Sequence, residues 1–502
     1  MKRIYKAFLM VAVTVLTAAC SADGSFDYGM PGLNGGYYDP SASPDEIGGT
    51  DGGNSFDEIT ENGFISTKDQ NVSTFSIDAD GASYAYMRRC LRAGYLPEPN
   101  SVRVEEYLNY FTFDYPDPED DHSVAINAEV GTCPWNPDHK LMRLGIKGRS
   151  LKSSQIPDAN YVFLIDVSGS MNSSDKLELL KSGLKTMTGY LKPTDRVSIV
   201  TYSGTVQLLL ESTLASDAET IRNAVSKLVA SGSTAGGAAM QMAYEVALEN
   251  YIEGGNNRVI MGTDGDFNVG VTSNDQLVEM VQDYASKGIY LTVCGFGTGN
   301  LNDSMMEQIS NHGNGTYEYI DSEDELTKVF VNERSKFYSV ANDSKVQVTF
   351  DSTKVEKYRL VGYENRVLSE EDFENDKKDA GEIGAGQTIT ALYELVLSED
   401  YAEGAYATFD FRYKKALGEE SLPLSMEIVP SDAETETMSG EFNFAAGVAA
   451  YGMVLRDSKY KGLSTYELAF DLVGSGLSYD PHGYRQQLFE MIAAAQGISA
   501  GF

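Results

Sequence analysis

Positive charge is scarce in this chain. Lys and Arg number 39 against 74 Asp and Glu, a formal net charge of −35, and no Lys or Arg occurs between residues 21 and 60. Nucleic acid and anionic lipid both need a basic face, which this composition does not offer. A surplus of carboxylates instead favours solubility and cation binding. Histidine is rarer still: His122, His139, His312 and His482 are scattered, and none falls in a His-Glu-x-x-His pattern. The four cysteines form no Cys-x-x-Cys and no zinc-spaced cluster. There is no Gly-x-Ser-x-Gly elbow to expose a nucleophilic serine and no phosphate-cradling Gly-x-x-x-x-Gly-Lys-Ser/Thr loop. Gly295-x-Gly297-x-Gly299 has the wrong spacing for a dinucleotide fingerprint and reads as a loop turn. Beyond the N-terminal leader no apolar run reaches the ~18 residues that a membrane span needs. These absences leave no catalytic constellation, and the chain is expected not to be an enzyme.

What is present centres on residues 161–171, Tyr-Val-Phe-Leu-Ile-Asp-Val-Ser-Gly-Ser-Met. Five apolar residues without alternation, Tyr161 to Ile165, predict a strand buried on both faces, as in the middle of a parallel sheet. The strand ends in Asp166-x-Ser168-x-Ser170, which crowds one carboxylate and two hydroxyls at the carboxyl edge, where open α/β sheets bind ligands. All three donors are hard oxygens, suited to Mg²⁺ or Mn²⁺ and poor for zinc or copper. Ser233-Thr234-Ala235-Gly236-Gly237 then precedes a helical run over 238–251, and Arg258-Val-Ile-Met-Gly-Thr-Asp264-Gly265 predicts a second buried strand with an acidic end. This combination resembles the metal-ion-dependent adhesion site of von Willebrand factor A domains. The resemblance implies that Asp166, Ser168, Ser170, Thr234 and Asp264 hold the metal, the hydroxyls directly and the aspartates directly or through water. Asp264 beside Asp266 reads better as a ligand next to a loop carboxylate than as an acid/base pair. Met171, Asn172, Asp266 and Phe267 are expected to form a partner-binding rim.

Strands alternating with helices over 158–338 predict a doubly wound, mostly parallel α/β sheet. Within it, Leu177, Leu180, Leu184, Met187 and Leu191 mark one apolar helical face, and a single helix is expected over 323–337. Period-two patterns over 123–157 and 340–430 predict a β-sandwich into which the α/β domain is inserted. Residues 62–122 are expected to form a helical flanking region, with Asp80 capping a helix over 84–93, and residues 431–502 a helical end with a capping box at Ser464-x-x-Glu467. Trp135, the sole tryptophan, is expected to anchor a core. Cys90 and Cys133 could pair in an oxidising compartment, which the sequence alone leaves open. The stretches 76–84 with 102–110, and 358–366 with 379–388, are similar to the flanking regions of one bacterial subfamily of von Willebrand factor A proteins that is lipid-anchored or secreted.

At the N-terminus, Lys2, Arg3 and Lys6 precede a short apolar core and then Thr17-Ala18-Ala19-Cys20. This resembles a bacterial lipoprotein signal over 1–20, with Cys20 as the acylated residue; an ordinary secretory cleavage site is the alternative. Ser21 after the cysteine, by analogy with enterobacterial sorting, points to the outer membrane of a Gram-negative-type envelope. Residues 21–60, rich in Gly, Asp, Ser and Pro, are expected to be a disordered tether. The function expected from all this is an envelope-anchored, metal-dependent protein-binding module whose metal takes an Asp or Glu carboxylate of a partner protein. The alternative is a structural envelope protein whose metal braces the fold while partners dock on the β-sandwich or the C-terminal helices.

Overall fold

In the computed structural model, residues 56 and 58–501 are described, apart from segments 78–79, 153, 233–235, 266–273, 298–302, 376–379, 400–403, 417 and 431–437. Cys20 and the expected signal and most of the tether lie outside the described residues.

The run Tyr161–Ile165 is buried because its strand, Ala159–Asp166, lies mid-sheet. It pairs in parallel with Arg196–Tyr202 on one side and Asn256–Thr263 on the other. Ile289–Phe296 and Tyr317–Ile320 extend the parallel order, and Val206–Leu214 closes the opposite edge antiparallel. Residues alternate between two cores. Tyr161, Phe163 and Ile165 face the helix Leu177–Met187, whose Leu177, Leu180, Leu184 and Met187 share that core. Val162 and Leu164 face the other way, towards Ala239, Met240 and Ala243 of the helix Gly237–Glu249. The sheet is therefore covered on both faces, as a continuous apolar strand requires.

On either side of this domain in sequence, antiparallel strands build the β-sandwich. One sheet holds Lys140–Gly148 between Val124–Thr132 and Thr388–Leu397, continuing to Val355–Val361. The other holds Ser339–Phe350 with Ala407–Lys414 and Leu422–Ile428. The chain leaves the first sheet at Gly148 and enters the second at Ser339, so the α/β domain is an insertion, as expected. Four helices, Ala82–Arg92, Gly440–Leu455, Tyr466–Ser475 and Tyr484–Ala500, share a further core with Trp135. Trp135 is 1 % exposed, and its indole N–H donates to Glu394 over 3.1 Å.

Several expectations need correction. The flank 62–122 is not purely helical: Val72–Ser76 is a strand of the second sandwich sheet, paired with Ser339–Phe350 so that Phe75 faces Val346. Asp80 does not cap the following helix; its carboxylate accepts the backbone N–H of Tyr317 at 2.7 Å and so ties the flank to the α/β sheet. The expected 323–337 helix runs as α-helix only over Glu323–Thr327, then as a π-turn over Lys328–Asn332 and a 3₁₀ turn over Arg334–Phe337. The cap of the Tyr466–Ser475 helix is Thr465, one residue later than expected, because its hydroxyl accepts from the N–H of Leu468. Cys90 and Cys133 are both buried free thiols.

Candidate metal centre

Asp166 is the last residue of the central strand, and its carboxylate is fully buried. The chain beyond it stays tied to neighbouring elements. Val167 N–H donates to the Tyr202 carbonyl at 2.9 Å, and the Val167 carbonyl accepts from Ser231 at 2.7 Å. Gly169 N–H donates to the Gly232 carbonyl at 3.0 Å. This stitching draws the chain just before Thr234 against the Asp-x-Ser-x-Ser loop. Thr234 itself lies outside the described residues, as do Asp266 and Phe267.

Within the loop, Ser168 N–H donates to Asp166 Oδ1 at 2.8 Å, and the hydroxyls of Ser168 and Ser170 lie 2.9 Å apart. Asp264 follows directly on the Asn256–Thr263 strand and is 1 % exposed. Thr263 links the two acids: its hydroxyl reaches Asp166 Oδ2 at 3.4 Å and accepts from Gly265 N–H at 3.2 Å. Adjacent parallel strands thus deliver Asp166 and Asp264 to one edge, with the serine pair beside Asp166. Burial pushes the Asp166 carboxyl up to about 6; the charge of Asp264 adds to the push, and hydrogen bonds from Ser168 and Tyr202 oppose it.

Two buried carboxylates beside two hydroxyls make a hard-oxygen set that a small dication fits, because it would relieve the cost of keeping Asp166 ionised. Among the described residues no group of three or more His, Cys, Asp or Glu gathers to hold a metal. Half of this donor set is hydroxyl, so the site is not of that carboxylate-rich or imidazole kind.

The rim expectation is corrected in one place. Met171 is 0 % exposed and packs with Leu177, Leu180 and Ile165 in the sheet's core, so it offers no surface to a partner. Asn172 is exposed beside it. Nothing in the local sequence around it marks Lys176 as a site residue. Its ammonium donates to Asp264 Oδ2 at 2.9 Å and to the Ser170 carbonyl at 3.0 Å, inside the candidate site.

The von Willebrand factor type A domain family matches residues 160–332. A second family described as von Willebrand factor matches 50–143, and the C-terminal region of the uncharacterized protein YfbK matches 335–498. The chain is 38% identical over 456 residues to the uncharacterized protein YfbK of Escherichia coli (strain K12), covering 85% of this chain and 78% of that protein. Among solved structures, a von Willebrand factor type A protein from Catenulispora acidiphila is 14% identical, with TM-score 0.42 over 75% of this chain and 90% of that one. The conserved hypothetical protein BatB from Bacteroides thetaiotaomicron is 23% identical, with TM-score 0.31 over 36% of this chain and 98% of that one. Domains of the type A class generally mediate protein–protein interaction and often hold a divalent metal. The chain belongs to the YfbK family of bacterial proteins, in which a von Willebrand factor type A domain is followed by a YfbK C-terminal region.

Proposed function

We propose that the protein is a divalent-metal-dependent protein-binding module of the bacterial cell envelope. Asp166, Ser168, Ser170 and Asp264, with Thr234 by resemblance, would hold Mg²⁺ or Mn²⁺. The observation that carries this reading is that the Ser168 and Ser170 hydroxyls, 2.9 Å apart, and the buried carboxylates of Asp166 and Asp264 come together at the ligand-binding edge of a parallel sheet. When bound, the metal would supply an open coordination position for a carboxylate of the partner. The chain's own residues orient that encounter: the stitched loop fixes the two serines, and exposed Asn172 adds a polar contact at the rim. Among the described residues no acid–base or nucleophilic pair accompanies the donor set, which supports binding rather than catalysis. Acylation of Cys20 would hold the protein at the membrane, facing away from the cytoplasm, with 21–60 as the tether. Among the described residues no helix is long and apolar enough to cross a membrane.

The test is capture of partners from envelope extracts by the full chain, in Mg²⁺ and in EDTA. Loss of a captured protein on chelation, and again when one Asp or Glu of that protein is changed to Ala, is the expected result. Capture that persists in EDTA would refute the reading in favour of docking on the β-sandwich or the C-terminal helices.

A further inference from the structure

Lys176 sits where a cation is expected. It follows the Ser170 loop, immediately before the helix Leu177–Met187, and its side chain is 13 % exposed. Its ammonium bridges the two halves of the site, donating to Asp264 Oδ2 at 2.9 Å and to the Ser170 carbonyl at 3.0 Å. The stem is held as firmly as the head. Gly297, at φ +73° in the turn after the Ile289–Phe296 strand, leaves the room the stem occupies; a Cβ there would stand 2.2 Å from Lys176 Cε. The Gly297 carbonyl is fixed in turn by the buried Tyr319 hydroxyl at 2.6 Å. Three loops at the sheet edge therefore converge on this one side chain, and a solvent-facing lysine has no need of such a channel.

We infer that Lys176 is a built-in counter-cation that weakens metal binding by the empty-handed protein and makes metal and acidic ligand bind together. This rests on the metal-site reading above. Asp166 and Asp264 alone would neutralise a dication, and a third carboxylate would then add surplus negative charge. With the Lys176 ammonium against Asp264, the same dication leaves the site one charge too positive, and one carboxylate from outside restores neutrality. The partner's acidic side chain is then required by charge as well as by geometry. In a buried site, where charges interact far more strongly than in water, such a mismatch is large enough to couple two ligands.

The probes are Mn²⁺ alone and Mn²⁺ with saturating acetate, titrated calorimetrically into the full chain and into the Lys176→Met and Lys176→Gln variants. Both variants keep an aliphatic stem beside Gly297, and melting in EDTA checks that they fold. Removing the ammonium is expected to tighten Mn²⁺ binding about tenfold or more. Acetate is expected to tighten Mn²⁺ binding by about fivefold in the native chain and by clearly less in either variant. Lys176→Arg, which keeps the charge, should resemble the native chain. Equal Mn²⁺ affinity in the native chain and both neutral variants, or an undiminished acetate effect in them, overturns the role of Lys176 and leaves the metal site standing. Failure of the native chain and of both neutral variants to bind Mn²⁺ overturns the metal site itself, and this inference with it.

Discussion

Replacing Asp166 by Asn separates the proposed metal-binding role of this residue from its structural one. The carboxyl is raised from the ordinary 3.8 to about 6, first by burial and then by the charge of Asp264. At about 1.4 kcal/mol per pKa unit, that rise corresponds to roughly 3 kcal/mol of folding free energy. The sign follows from proton binding. Between pH 3.8 and about 6 the native state holds the Asp166 proton more tightly than the unfolded chain does. Stability therefore falls as pH rises through that window, and above it the metal-free protein carries the full cost of an ionised buried carboxylate. Asn removes the charge and keeps the shape, and its side-chain oxygen can still accept from Ser168 N–H, as Asp166 Oδ1 does at 2.8 Å.

In EDTA at pH 7.5 the Asp166→Asn variant is therefore expected to be at least as stable as the native chain. The roughly 3 kcal/mol is an upper bound, because the 3.4 Å contact from the Thr263 hydroxyl to Oδ2 is weakened. For a domain of this size a gain of 1 kcal/mol moves the melting temperature by about 2–4 °C. Mg²⁺ in excess raises only the native chain, by about 2.7 kcal/mol at a hundred times the dissociation constant, so the variant's advantage shrinks and is lost as Mg²⁺ rises further. Differential scanning fluorimetry over pH 4 to 8, with and without Mg²⁺, reads both effects. A variant clearly less stable than the native chain in EDTA would refute the account of the buried charge. A variant that Mg²⁺ still stabilises would place the metal elsewhere.

Three further outcomes follow from other parts of the chain. Half-buried Glu333 lies between Lys328 at 2.8 Å and Lys336 at 2.5 Å; desolvation opposes its ionisation, but the two ammoniums outweigh it and hold the carboxyl down at about 2. Glu333→Gln should cost roughly 3 kcal/mol in urea denaturation at pH 7 by stranding those charges, and the difference should shrink as the pH falls from 4.5 towards 2; an unchanged midpoint at pH 7 would contradict it. Gly315→Ala should lower stability by more than about 3 kcal/mol or prevent folding, because its Cβ would fall 1.4 Å from the backbone oxygen of Leu291; near-native melting would show that the turn is not held there. Cys20→Ser should move the protein from the membrane pellet to the soluble fraction, and retention in the pellet would remove the lipid anchor from the reading.

The central strand and the acid-and-serine loop were legible because their signals are local. Five apolar residues in a row mean a two-sided strand wherever they occur, and Asp166, Ser168 and Ser170 lie within one turn of chain. The misreadings are cases where the deciding partner is far away in sequence. Val72–Ser76 has the mixed composition of a loop, and becomes a strand because Ser339–Phe350 runs beside it. The run 323–337 has helical spacing, yet Lys328 must reach both Glu333 and the face of Tyr110, at 4.2 Å from the ring centre, and the helix opens to a π-turn there. Lys176 looks like any surface lysine until Asp264, 88 residues later, arrives beside it. Met171 differs from these, because an apolar residue after two polar site residues is more simply a core residue, and it is buried among Ile165, Leu177 and Leu180.

The flanking helix Ala82–Arg92 bears on how the site can be reached. Arg88 is buried in it and grips the α/β domain through Asp321, by Nε at 2.8 Å, and through Glu325 at 2.5 Å. The neighbouring Arg89 reaches Asp175 at 2.7 Å. Asp321 directly follows the strand Tyr317–Ile320, and Asp175 directly precedes Lys176, so both attachments fall at the carboxyl edge of the sheet, the edge that carries Asp166 and Asp264. The Arg89–Asp175 pair is partly exposed, and contributes little to stability on its own. Its consequence is positional: the loop that carries Lys176 into the site is braced from outside by a segment of the flank rather than by the α/β domain alone. An excised α/β domain would lose this brace, and also Arg88, which holds Asp321 and Glu325 at the start of its last helix. The proposed metal and partner binding should therefore be measured on the whole chain, because the flank lies beside the edge that carries Asp166 and Asp264.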